Sequence, residues 1–312
     1  MHMPSLLRPG DTVAILATSG PCDGERLAAG LKHVEAMGLV PMVMDSCRSS
    51  HGYLAGQDDV RLRDLHMAFA SPEVRGIFVA RGGYGAGRLL PRLDYDLIAR
   101  NPKVFVGYSD VTALHVVFNQ RCGFVTFHGP MVAVDFCRGM DAFTIGAFKR
   151  MVFAPEQTAH KPHAAKPSRT YSGPIANPIS RPLAAIVPGR AAGPLTGGNL
   201  CLLAASIGTP YEVDTCDRIL FLEETGEEPY RIDRMLLQLK QAGKFKHAAG
   251  IILGDFAPQT IEKLHICISE LIAPEGKPTM AGLACGHTSP NLTLPLGRMV
   301  EMDATGLVLQ AR

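Results

Sequence analysis

In the first half of the chain, short apolar runs rich in Val and Ile alternate with longer segments whose apolar residues recur at helical spacing. Thr12 to Ala17, Val40 to Met44, Gly76 to Ala80, Val104 to Val106 and Phe124 to Phe127 carry the strand pattern. Between them, Glu25 to Met37, Asp59 to Phe69, Ala86 to Leu93, Val111 to Arg121 and Asp141 to Val152 read as helices. This βαβ rhythm predicts an N-terminal α/β domain over 1–153 with a parallel sheet, whose ligands sit at the carboxyl ends of its strands. The pattern then breaks. Ala154 to Arg190 holds seven of the 23 prolines and no acidic residue after Glu156. Proline lacks the donor that helices and central strands need, so 154–192 is expected to be an extended linker.

A second, smaller α/β domain is expected over 193–312. Its pattern gives a helix at Asn199 to Ile207, a strand at Arg218 to Leu222, a helix at Pro229 to Ala242, a strand at Gly250 to Leu253 and a helix at Ile261 to Ile272. Met299 to Met302 and Gly306 to Leu309 form a closing hairpin.

Composition narrows the function classes. Apolar residues make up 46% of the 312 and charged residues 19%, which excludes disorder across the chain. A net charge of +2 with no basic run argues against a nucleic-acid partner. The longest uncharged stretch, Ala191 to Tyr211, is interrupted by Gly193-Pro194, Gly197-Gly198-Asn199 and Gly208-Thr209-Pro210, so no membrane span is expected. The first residues lack the apolar core of a secretory signal, and the chain reads as cytoplasmic. Eight scattered cysteines without a CxxC suggest neither a zinc site nor a disulfide framework.

Four constellations can carry chemistry. In Val104-Phe-Val-Gly-Tyr-Ser109-Asp110, a strand turns sharply into a helix with Ser109 at the corner, the geometry of a nucleophile elbow; the alternative is that Ser109 or Asp110 caps the helix. Arg81-Gly-Gly83-Tyr-Gly-Ala-Gly87 lacks the ending and register of phosphate loops. An amide from Gly82 or Gly83 can instead pair with that of Asp110 as an oxyanion hole. Glu223 and Glu224 end an apolar strand and must face opposite ways. His287 lies in a loop punctuated by Gly and Pro, with His128 as its rival for a general base; His115, six residues beyond Ser109, turns away from it.

Taken in order, RGGYGAGRLL (81–90), GYSDVTALH (107–115), HGP (128–130), GGNLCLLAASIGTP (197–210), FLEETGEEPYRIDRML (221–236) and GHTSPNLTLPLG (286–297) resemble the LD-carboxypeptidases that trim muropeptides, a serine peptidase family that includes the microcin C immunity peptidases. The resemblance implies a Ser109, Glu223, His287 triad, oxyanion amides at Gly83 and Asp110, no metal or cofactor, and commonly a homodimer. It implies release of a terminal D-alanine from a peptidoglycan tetrapeptide. Arg81, Arg231 or Arg234 could meet the substrate carboxylate. A peptide-nucleotide conjugate is the nearest alternative substrate; the absence of Trp counts against an aromatic platform for a base. A binding module in which Ser109 only caps a helix is the distant alternative. Ala17-Thr18-Ser19-Gly20-Pro21 departs from the relatives' Pro-Ser, and Ser19 is expected still to line the site.

Overall fold

The computed structural model describes residues 1–155, 172–178, 180 and 182–312. Its first half forms β1 (Thr12–Leu16), α1 (Gly24–Ala36), β2 (Val40–Val43), α2 (Asp58–Ala70), β3 (Val74–Val79), α3 (Tyr95–Arg100), β4 (Val104–Gly107), α4 (Thr112–Val117), β5 (Thr126–His128) and α5 (Ala142–Val152). Local chemistry sets the helix starts. Asp23 accepts from the Arg26 amide, Asp94 from Leu97 and Asp141 from Thr144, each satisfying an amide that has no partner within its helix. One expected helix is absent: 86–93 makes two short 3-10 turns, because Pro91 cannot donate to a continuing helix.

The remainder supplies β6 (Gly173–Pro174), β7 (Ala184–Val187), β8 (Arg190–Asn199), α6 (Leu200–Ser206), β9 (Ile219–Glu223), α7 (Pro229–Gln241), β10 (Gly250–Leu253), β11 (Thr279–Ala281), β12 (Leu294–Leu296), β13 (Met299–Asp303) and β14 (Val308–Ala311). The expected linker is therefore corrected at its far end. Residues 173–174 and 184–187 are strands at the two edges of the second sheet, where proline's missing donor costs least, and β8 begins before 193. The segment 156–171 lies outside the described residues. At Ile261 to Ile272, α-helix is confined to His265–Cys267 and a wider π turn follows.

The first sheet has the order β12-β5-β4-β3-β1-β2, with β1 to β5 parallel and β12 antiparallel to β5. The second runs β6-β14-β13-β8-β9-β10-β11-β7, with a parallel centre from β8 to β11. Thus β12, from the C-terminal part of the chain, closes the edge of the N-terminal sheet. The loop 282–293 must then travel from one sheet to the other. A core containing Val106, Phe127, Phe221, Cys285 and Leu294 joins the two layers. The carboxyl ends of both parallel centres meet there: the Asn199 amide at the end of β8 donates to Thr112 Oγ1 at the start of α4 at 3.0 Å.

Candidate active site

β4 is buried throughout and stops at Gly107. Two residues later Ser109 adopts φ +65°, a left-handed conformation that costs a residue with a Cβ about 1–3 kcal/mol and persists only where its surroundings impose it. Asp110 supplies that constraint. Its buried carboxylate accepts the Ser19 hydroxyl at 2.6 Å and the Ala86 amide at 2.7 Å, tying the turn after β4 to the loops after β1 and β3. Burial raises the Asp110 pKa, opposed by these two hydrogen bonds and the charge of Arg61. Ser19 does not line the site as expected: it is fully buried and its hydroxyl is spent on Asp110.

The glycine loop closes on the serine. A Cβ on Gly82 would stand 2.9 Å from Ser109 Cβ and 3.1 Å from its Oγ, so this approach requires glycine. The Gly82 carbonyl accepts from the Gly20 amide at 3.1 Å, which fixes the loop, while the Gly83 amide has no acceptor among the described residues.

Glu223, the last residue of β9, is fully buried, and its Oε2 accepts His287 Nδ1 at 2.8 Å. Strand alternation sends Glu224 elsewhere: its carboxylate takes the Asn199 side-chain amide and the backbone amides of Cys201 and Thr225. Gly286 makes the approach of the histidine loop possible. It has φ +131°, and a Cβ there would lie 2.8 Å from Glu223 Oε2. Burial pulls the His287 pKa down, but the Glu223 hydrogen bond and the charges of Glu223, Glu224 and Asp135 outweigh it and leave the pKa raised.

The elbow and this pair meet through Tyr108. Its ring stands edge-on to His287 with centroids 4.8 Å apart, and its hydroxyl donates to Asp135 at 3.2 Å. Ser109 Oγ itself makes no hydrogen bond among the described residues; such contacts often tighten only with substrate bound. Sequence reasoning missed Tyr108 and Asp135. The first was visible only as the neighbour of Ser109, and the second lies in a segment without periodicity. The rival histidines are occupied otherwise. His115 is buried between Thr126 Oγ1 and the Gly107 carbonyl. His128, fully buried against Tyr108 and Phe221, has no carboxylate partner, and burial, then the charges of His115 and His287, hold its pKa well below the usual value.

The three arginines separate. Arg81 lines a depression with Gly20, Pro21 and Gly83, beside the elbow. Arg231 and Arg234 stand exposed on α7, the former paired with Glu227 and lying over Tyr230. Among the described residues, no group of three or more His, Cys, Asp or Glu side chains is placed to hold a metal, and no helix is long and apolar enough to cross a membrane.

Comparison with known proteins identifies the family. Residues 13–129 match the LD-carboxypeptidase N-terminal domain and residues 192–302 the LD-carboxypeptidase C-terminal domain. A probable murein peptide carboxypeptidase of Bacillus subtilis is 40% identical over 311 residues, covering 97% of this chain and 92% of that one. The crystal structure of a muramoyltetrapeptide carboxypeptidase from Oxalobacter formigenes superposes with a TM-score of 0.79 at 30% identity, covering 96% of this chain and 97% of the other. That of an MccF-like protein from Bacillus anthracis gives 0.87 at 27%, covering 100% and 99%. With both domains matched in order across most of its length, the chain belongs to the LD-carboxypeptidase family.

Proposed function

We propose that the protein is a serine-type LD-carboxypeptidase that releases the terminal D-alanine from peptidoglycan tetrapeptides, with Ser109, Glu223 and His287 as its triad. The observation that carries this reading is the Glu223 to His287 hydrogen bond set beside a serine at φ +65°. In the reaction, His287 Nε2 takes the Ser109 proton as Oγ attacks the scissile carbonyl. Glu223 holds the Nδ1 proton and stabilises the imidazolium. The amides of Gly83 and Asp110 receive the oxyanion. The proton passes to the departing amine, D-alanine leaves, and a water deprotonated by the same histidine hydrolyses the acyl-serine. Glutamate serves as well as aspartate here, since the role needs only a buried carboxylate at the distal ring nitrogen.

The curated relatives named for murein peptides support the substrate class. A cytoplasmic location suits the recycling of cell-wall fragments, and we take the working unit to be a homodimer, as the family resemblance implies. The test is incubation with a defined tetrapeptide muropeptide, which should yield the tripeptide and free D-alanine. A serine-directed fluorophosphonate should label Ser109 and block the reaction; labelling without turnover on any muropeptide would displace the substrate assignment, and no labelling would displace the nucleophile.

A further inference from the structure

The depression beside the elbow falls where the winding of the first sheet reverses. β1 and β3 are neighbours, with β2 outside the first and β4 and β5 beyond the second, so the loops leaving the carboxyl ends of β1 and β3 diverge and open a crevice. Gly20 and Pro21 come from one loop, Arg81, Gly83 and Tyr84 from the other, and Tyr53 completes a volume of about 650 Å³.

Arg81 is the cation of this crevice. Its NH1 donates to the Pro21 carbonyl at 3.1 Å, and its NH2 lies 3.8 Å from the position of a Cβ on Gly83. Arg61 and Arg88, which approach the same loop, are both paired with Asp58. Arg81 has no carboxylate partner among the described residues. A half-buried guanidinium without a counter-charge, next to an amide without an acceptor, is arranged for an anionic group.

Chain geometry says which anion. In a carboxypeptidase substrate the free carboxylate sits on the residue directly after the scissile carbonyl, so its anchor must lie within one residue's reach of the oxyanion donors. Arg81 is two positions from Gly83, whereas Arg231 is held by Glu227 and Tyr230 on α7. Above Arg81, Tyr53 and Tyr84 are 67% and 56% exposed, with ring centroids 5.8 Å apart at 60°, an apolar wall left open on one side. We infer that Arg81, Tyr53 and Tyr84 form the subsite for the leaving amino acid, Arg81 taking its free carboxylate and the tyrosines its small side chain, so that this corner makes the enzyme an exopeptidase. The inference rests on the serine-peptidase reading above.

The experiment compares kcat/KM on a peptidoglycan tetrapeptide and on the same peptide as its C-terminal carboxamide. The wild type should prefer the acid by about 100-fold, and Arg81→Met should bring the two within about 5-fold by losing rate on the acid alone. Arg81→Lys, which keeps the charge without the planar fork, should fall between and serves if the methionine variant does not fold. Arg231→Met and Arg234→Met should retain the wild-type ratio, and the double variant Tyr53→Ala/Tyr84→Ala should raise KM on the acid. An unchanged ratio in Arg81→Met, or a collapse in Arg234→Met instead, overturns the assignment. Equal turnover of both peptides by the wild type overturns this inference alone; turnover of neither overturns the peptidase reading beneath it.

Discussion

Ser19 and Asp110, 91 residues apart, share a buried hydrogen bond of 2.6 Å. With the Ala86 amide on the same carboxylate oxygen, this contact fixes the turn that carries Ser109 relative to the loop that carries Gly83. Ser19→Ala should cost about 1–3 kcal/mol, the usual penalty for a buried group deprived of a partner. It should also lower kcat by about 10-fold with little change in KM, because the amides drift from the oxyanion position. Denaturant unfolding and steady-state kinetics on the same preparation read both effects.

Ser109→Ala should lower kcat/KM by about 10³-fold or more while the fold persists. The positive φ adds a second expectation. Ser109→Gly should be equally inactive yet more stable than Ser109→Ala by about 1 kcal/mol, since glycine pays no Cβ penalty in that conformation. Equal urea midpoints for the two variants would show that the left-handed turn stores no strain.

The two adjacent glutamates should fail differently. Glu223→Gln removes the charge behind His287 and should cut kcat by about 10³- to 10⁴-fold. Glu224→Gln loses acceptor capacity at the start of α6 and should cost about 1–2 kcal/mol of stability, with kcat within about 10-fold of wild type. Similar kinetic losses in both would mean that the carboxylates act as one network.

The raised His287 pKa has opposite signs for rate and stability. A base must be unprotonated, so kcat/KM should rise with pH through a midpoint above the ordinary 6.5. The ion pair with Glu223 contributes stability that is fully present below 6.5 and fades as pH rises through the raised folded value. In whatever residual turnover Glu223→Gln retains, the midpoint should move down. A rate profile with its rising limb below 6.5 in the wild type contradicts the assignment.

Gly286→Ala places a methyl group 2.8 Å from Glu223 Oε2 in a backbone conformation that side chains avoid. We expect the His287 loop to retreat from Glu223, with kcat lowered by about 10²-fold, the scale on which small misplacements act. The pH midpoint should fall at the same time, which a general loss of folded protein would not produce.

Much of this site was legible in the residues themselves. Ser109 stood at the junction of an apolar strand and a helix, Glu223 at the end of another strand, and alternation required Glu224 to point away from it, as it does. What escaped were features settled only by long-range packing. The Leu294-Pro-Leu296 run has no alternation to mark it as a strand, and Pro295 is tolerated because β12 lies at a sheet edge. Nothing near Asp135 signals that it will hold Tyr108, and Ser19, expected to line the site, is turned inward onto Asp110 by a contact 91 residues away in the chain. The edge strands within the proline-rich segment were hidden by the composition that suggested a linker.

The exchange of β12 bears on how such a chain can be divided. A break anywhere between β5 and β8 separates the N-terminal sheet from the strand that covers it, exposing the unpaired amides and carbonyls of β5, an edge on which other chains can pair. It also cuts His287 away from the elbow, because the loop carrying the histidine is anchored by β11 in one layer and β12 in the other. The two halves are therefore poor modules for shuffling: a fragment that inherits Ser109 inherits neither His287 nor a sealed sheet, and grafting a foreign C-terminal half requires that it bring its own edge strand in register.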